Sequence, residues 1–164
     1  MRILEKLDEM GVLSERRLLQ IYPPFLFMGV KILKLADDYR FVDVHLPLRW
    51  YGSNMHGTMF GGWLAAVSDP FAALLCAKRY SDVVVWTKSQ QIEFKRPART
   101  DVHFRVEISD AIHSQILRDL ETQGRSNPIF EYELKDKDNR TVARVRNTPF
   151  VGLKTAVKGR KLDD

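Results

Sequence analysis

Asn54-Met55-His56-Gly57-Thr58-Met59-Phe60-Gly61-Gly62 runs directly into Trp63-Leu64-Ala65-Ala66-Val67-Ser68-Asp69-Pro70-Phe71-Ala72-Ala73-Leu74-Leu75-Cys76-Ala77, and the reading of this stretch decides the fold. Apart from Ser68 and Asp69, the segment 63–77 carries no polar side chain. It is rich in Ala and Leu and longer than an ordinary strand, so it predicts a helix, yet it is too short to span a bilayer. A helix that is apolar all round is expected to be buried on all sides. The rest of the chain must then wrap it, and a curved sheet is the natural wrapping. In the middle of the helix stands Asp69, an acid that is costly to bury unless paired or hydrogen-bonded. Pro70 has no N–H for the Ala66 carbonyl and predicts a kink beside the acid. A buried acid at a helix defect is a candidate functional group.

Working outward, strand signals lie on both sides. Val30–Leu35 and Phe41–Leu46 flank Asp37-Asp38 and predict a hairpin, with Val42, Val44 and Leu46 alternating against Asp43 and His45. After the helix, Val83–Phe94 reads as a long strand ended by Arg96-Pro97-Ala98, and 102–108 as another. Ser109 or Asp110 can cap a helix with Ile112, Ile116 and Leu120 on one face and Gly124 just past its end. Ile129–Leu134 and Thr141–Val151 are the last two strands, around a turn at 136–139. Upstream, Ile3, Leu4, Leu7 and Met10 fall at helical spacing. Ser14 can cap a second short helix that Pro23-Pro24 would end, leaving Phe25–Met28 to cover a sheet edge or a partner surface.

The chain has 164 residues, which suits one domain with a sizeable core, and its net charge of +5 is spread over several segments. There is no basic helix or aromatic-basic stripe, so no nucleic-acid partner is expected. The one cysteine, Cys76, cannot close an intrachain disulfide and reads as a buried thiol. One Cys with scattered His builds no metal site, and no cofactor is expected. His45, His103 and His113 read as surface residues. The first ten residues carry Glu5, Asp8 and Glu9 without a long apolar run, so no signal peptide and no membrane association are expected, and the cytoplasm is the default location.

The chemistry lies at the helix start. Gly61 and Gly62 let a ligand approach the backbone, and the first N–H groups of a helix lack intrahelical partners. With the helix dipole they can hold negative charge developing on a carbonyl oxygen. Asn54 adds an amide, Thr58 can cap the helix, and Asp69 can accept a proton or orient water. These are parts for hydrolysing an acyl bond. A Gly-rich loop before a core helix, with its acid bonded to backbone, is the plainer alternative.

The pattern Asn54-x-x-Gly57-Thr58-x-x-Gly61-Gly62-x6-Asp69 resembles the motif of hotdog-fold acyl-CoA thioesterases of the phenylacetic-acid and human mitochondrial-associated type. Ala73–Cys76, Thr87 and Ile92–Ala98 extend the likeness. The whole chain is more similar still to a bacterial hotdog family of unknown function, through Tyr22–Phe25, Leu46–Tyr51, Phe60-Gly61-Gly62 and Asp69-Pro70, over roughly residues 20–152. The resemblance implies an α+β hotdog fold: a long central helix wrapped by a curved antiparallel sheet, with N-terminal helices and one inserted helix. It divides the chain into an N-terminal helical extension (1–24), a hotdog domain (25–153) and a flexible C-terminal tail (154–164). It also implies homodimers with a continuous sheet, often paired into homotetramers.

The implied activity is hydrolysis of an acyl-CoA or acyl-carrier thioester at a composite site. Gly61, Gly62 and Asn54 of one subunit would engage the thioester carbonyl. Asp69 and Thr87 of the other would position water, or Asp69 would attack directly. Gly57, Thr58, Phe60, Trp63, Lys95, Arg96 and Arg99 are the implied substrate-binding residues, the three cations meeting the phosphates of CoA. One position departs from the motif. Phe60 stands where the thioesterases have His, and it adds apolar wall suited to an acyl chain. His56, four residues earlier, is the nearest imidazole. A non-catalytic acyl-CoA or lipid-binding hotdog module is the alternative reading. A hotdog dehydratase would need a His-plus-acid pair at the helix start, which this chain lacks.

Overall fold

The computed structural model describes residues 15–157. The helix expected over 3–10 and the last seven residues lie outside that range. Two short helices come first, α1 (Glu15–Ile21) and α2 (Pro23–Met28). Pro23-Pro24 therefore start a helix as well as ending one: proline is tolerated in the first turn, where its missing N–H has no partner anyway. Gly29 closes α2 in the left-handed conformation, φ 72°. Phe25 and Met28 of α2 are buried, whereas Leu26 and Phe27 are exposed.

The sheet is antiparallel throughout. In chain order its strands are β1 (Lys31–Leu35), β2 (Phe41–Leu46), β3 (Val83–Phe94), β4 (Val102–Glu107), β5 (Arg125–Ser126), β6 (Phe130–Asp136) and β7 (Thr141–Leu153). The spatial order is β1-β2-β4-β6-β7-β3, with the two-residue β5 also paired to β7. Between β2 and β3 lie α3 (Gly61–Ser68) and α4 (Pro70–Arg79), and between β4 and β5 lies α5 (Asp110–Gln123). Ser109 caps α5 by accepting the Ile112 N–H at 3.3 Å, and Gly124 ends it at φ 68°. The tail begins with one helical turn, α6 (Lys154–Val157).

Registers explain the core. Val42, Val44 and Leu46 lie opposite Val106, Phe104 and Val102, and all six are buried against α3–α4. On the helices Leu64, Val67, Phe71, Ala72, Leu75 and Cys76 meet them. An aromatic column crosses the layers: Phe25 stacks on Phe71 at 5.2 Å, Phe71 meets Phe104 edge-on at 5.8 Å, and Phe104 stacks on Tyr132 at 5.8 Å. Burial pushes the Cys76 thiol up to about 12, as suits an inert core thiol.

The helix is not buried on all sides. One sheet has one face to offer, so Gly62, Ala66 and Ala77 remain exposed on the far side, and Asp69 is only half-buried. His113 also departs from a surface reading. Its ring stacks on Tyr80, and its Nδ1 lies 2.8 Å from the Tyr80 hydroxyl.

The two sheet edges are β1 and β3. Along β3 the register against β7 shifts between Thr87 and Ser89. This bulge inserts one extra residue and reverses the alternation beyond it. As a result Thr87 and Gln90 both reach the helix, although a strict period of two would put them on opposite faces.

Candidate active site

The loop that enters α3 is folded by its own polar groups. The Asn54 Oδ1 accepts the N–H groups of His56 at 2.9 Å and Thr58 at 3.2 Å, while its Nδ2 donates to the Thr58 hydroxyl at 2.9 Å. Gly57 turns the tip at φ 68° and donates its N–H to the Asn54 carbonyl at 3.0 Å. Asn54 is thus largely committed to its loop, with one amide hydrogen to spare. Thr58 is also committed there and does not cap the helix. The N-cap of α3 is Phe60, which has no side-chain cap. The N–H groups of Trp63 and Leu64 turn back to the Phe60 carbonyl, at 2.9 and 3.4 Å. Those of Gly61 and Gly62 stand ahead of the ladder, as uncapped donors at the positive end of the dipole.

Two phenyl rings flank these donors. A Cβ at Gly62 would come within 2.4 Å of the Phe60 ring, and one at Gly61 within 3.2 Å of the Phe94 ring. Both rings are 53% exposed. The Met59 N–H donates to the Ala98 carbonyl at 2.8 Å and ties the loop to the segment leaving β3. Between them lies an open groove of about 610 Å³, lined by Asn54, His56, Thr58 and Gly61 on the loop side, with Leu64 and Met59 below. Phe94 and residues 95–99 form the other wall. Lys95 pairs with Glu93, whereas Arg96 and Arg99 are exposed and have no ion-pair partner among the described residues.

The groove therefore gathers Asn54, His56, Thr58, Gly61, Lys95, Arg96 and Arg99, and leaves out other expected residues. Gly57 lies at the loop tip, with nothing near its open side. Trp63 packs against Gly52 and meets Tyr51 edge-on at 6.5 Å, so it supports the loop from behind. Phe60 covers Gly62 rather than walling the groove. In the single chain this is an open groove, not a narrow tunnel.

Asp69 and Thr87 lie together, away from the groove lining. The Thr87 hydroxyl donates to the Asp69 carbonyl at 3.3 Å. Asp69 occupies the break between α3 and α4 at φ −66°, ψ −52°. Three further side chains converge here that the sequence did not single out. Asn147 donates to the Asp69 carbonyl at 2.9 Å, Tyr132 to the Ser68 carbonyl, and Gln90 to the Ala65 carbonyl at 3.0 Å. Burial, with the Asp69 charge second, holds the Tyr132 phenol well above its usual range, so it remains a proton donor. Polar residues at inward positions of β6 and β7 were the signal that could have found this cluster. Among the described residues no group of three His, Cys, Asp or Glu is placed to hold a metal, and no helix is long and apolar enough to cross a membrane.

A family model described as a domain of unknown function (DUF4442) matches residues 12–151. None of the curated proteins compared with the chain matches it. Solved structures do. A probable thioesterase of unknown function from Pseudomonas aeruginosa, PA5026, has a TM-score of 0.75 at 18% identity, covering 84% of this chain and 93% of that one. The Haemophilus influenzae thioesterase HI1161 has a TM-score of 0.64 at 14% identity, covering 83% and 87%. The E. coli PaaI protein, from the phenylacetic acid degradation operon, has 0.63 at 17%, covering 84% and 91%. At such identities the likeness establishes the fold, which is the hotdog fold expected from the motif.

Proposed function

We propose a function for a chain that belongs to the family described as a domain of unknown function (DUF4442) and shares its fold with proteins named thioesterases: it hydrolyses an acyl-CoA or acyl-carrier thioester to a carboxylic acid and a free thiol. The observation that carries this reading is the uncapped start of α3, opening with Gly61 onto a groove whose rim bears Arg96 and Arg99. The Gly61 and Gly62 N–H groups and the spare Asn54 hydrogen bind the thioester carbonyl oxygen, and stabilise it as it gains charge. Lys95, Arg96 and Arg99 meet the phosphates of the carrier. Asp69, with Thr87 beside it, takes a proton from the attacking water or attacks the carbonyl itself. Water adds to the carbonyl carbon, the C–S bond breaks, and the thiolate leaves with a proton.

Asp69 is not in the lining of its own chain's groove, so the reading needs two copies. The long edge strand β3 is open on one side, and an open edge invites pairing. A second copy pairing there extends the sheet and brings its Asp69 and Thr87 to the first copy's groove, closing it into a tunnel. A dimer, or a pair of dimers, is thus part of the proposal. A monomer by light scattering at micromolar concentration would overturn the composite site.

The test is turnover over a panel of acyl-CoA thioesters, read as free thiol. Asp69→Asn should lose on the order of 10²–10⁴-fold in kcat, the usual worth of a general base, while still binding acyl-CoA. Asp69→Asn at the wild-type rate would remove the acid from the mechanism. A second reading, a binding module without catalysis, rests on Phe60 standing where the thioesterases carry His. Binding across the panel with no thiol release would establish it.

A further inference from the structure

The helix break is tied to the sheet. Pro70 offers no N–H, so the ladder stops beside Asp69, and carbonyls around the gap accept bonds from three strands. Gln90 and Thr87 come from β3, Tyr132 from β6 and Asn147 from β7. Gln90 also donates to the Ser68 hydroxyl at 2.7 Å, which itself donates to the Ala65 carbonyl at 3.0 Å. Asn147 is 0% exposed, and its Oδ1 has no partner among the described residues. A buried amide with an orphaned acceptor is a net cost. Its neighbours on the inner face, Val145 and Phe130, are apolar. Asparagine here is explained by what it holds.

What it holds is the backbone of Asp69. Aspartate is among the best helix N-caps, and Asp69 directly precedes α4. Capping requires extended backbone at the N-cap. Asp69 is instead kept helical, at φ −66°, ψ −52°, and its carboxylate makes no cap bond. From these contacts we infer that Asn147, Gln90 and Tyr132 are positioning residues: they hold the Asp69 backbone in the helical region, so that its carboxylate cannot turn onto the N–H groups of α4 and stays free for an external partner. The inference rests on Asp69 being the acid of the proposed hydrolysis. It explains why a polar set faces a helix that is otherwise packed on hydrocarbon.

Asn147→Leu and Tyr132→Phe test it. Leucine has the same branching and number of heavy atoms as Asn147 and no orphaned polar atom. Phenylalanine keeps the stacking on Phe104 and loses the bond to Ser68. Released, Asp69 should turn to extended backbone and cap α4 through its carboxylate. The primary readout is the pair of Asp69 Cα and Cβ chemical shifts by NMR, which report helical against extended backbone and require no turnover. They should move toward extended values in both variants, and the melting temperature of Asn147→Leu should hold or rise. With the acid displaced by about an ångström, kcat should fall on the order of 10- to 100-fold with KM nearly unchanged. Asp69 chemical shifts that stay helical in both variants would overturn the inference. If the chemical shifts move but Asp69→Asn hydrolyses at the wild-type rate, the positioning stands and the catalytic reading falls.

Discussion

Gly61→Ala sets fold and function against each other. Gly61 has no positive φ, so alanine is allowed on its backbone. The new Cβ would lie 3.2 Å from Phe94 Cζ and 3.5 Å from Cε1, a few tenths of an ångström too close. Phe94 ends β3 and is half exposed, so its ring can swing outward at little cost. Alanine gains up to about 1 kcal/mol over glycine inside a helix, and less at the first position. The melting temperature should therefore hold or rise by roughly 1–3 °C, since about 1 kcal/mol is worth about 2–4 °C in a chain of this size. The methyl also enters the groove beside the uncapped N–H groups. A carbonyl displaced there by about an ångström should lose on the order of 10- to 100-fold in kcat/KM. Thermal melts and thiol-release kinetics on one preparation measure both. A folded variant with kcat/KM within about twofold of wild type would refute the placement of the thioester at Gly61.

Other expectations follow from the same geometry. Phe71→Ala removes a fully buried ring stacked on Phe25 and edge-on to Phe104. It should cost about 3–5 kcal/mol, read from urea unfolding at fixed protein concentration, and a loss near 1 would contradict the packing. Arg96→Glu with Arg99→Glu should raise KM for CoA thioesters, less so at high salt. It should leave kcat, and the KM for a short thioester without phosphates, in place; equal effects on both substrates would contradict the rim assignment. Burial pushes the Cys76 thiol and the Tyr80 phenol up to about 12, from ordinary values of 9.0 and 10.0. Both keep their protons better folded than unfolded, so their contribution is complete below pH 9 and drains as pH rises toward 12. Urea midpoints taken across that range should fall, and a flat profile would contradict the burial.

The architecture was legible because its signals are periodic and local. Val42, Val44 and Leu46 alternate cleanly, Ser109 and Gly124 bracket α5 by known capping chemistry, and Pro70 marks the break. The loop side of the groove was legible for a related reason: Asn54 and Gly61 sit where a tight loop must enter a helix. Thr58 misled because a hydroxyl near a helix start reads as a cap, while its true partner, Asn54, lies four residues back. Proline at 23 and 24 was read as a stop, because the same residue is permitted in a first turn and forbidden later. The polar set at the break shows in the sequence only as inward polar positions, without the place where they meet. Asn147 and Tyr132 are joined to it only through long-range pairing, 78 and 64 residues from their acceptors. Gln90 was hidden by the bulge, since counting by twos from Thr87 turns it outward. The openness of the far helix face followed from having one sheet, a fact of tertiary count rather than of helical pattern.

The bulge in β3 also sets what kinds of sequence change the strand can absorb. Substitutions act on one side chain at a time, but the parity of the strand is shared by every residue beyond Lys88. Deleting that single residue would remove the bulge and leave Gln90, Ile92 and Phe94 on the face they now hold, whereas deleting Gln91 would turn Ile92 and Phe94 outward and Glu93 inward. The loss of Gln91 would strip the groove of its ring and the core of an isoleucine, and would set a carboxylate against the apolar layer. Beyond the bulge the sheet edge is thus tolerant of spelling and intolerant of length. In a deletion scan of this protein, residue 88 should be spared and residue 91 should behave as a core position, although both side chains face solvent.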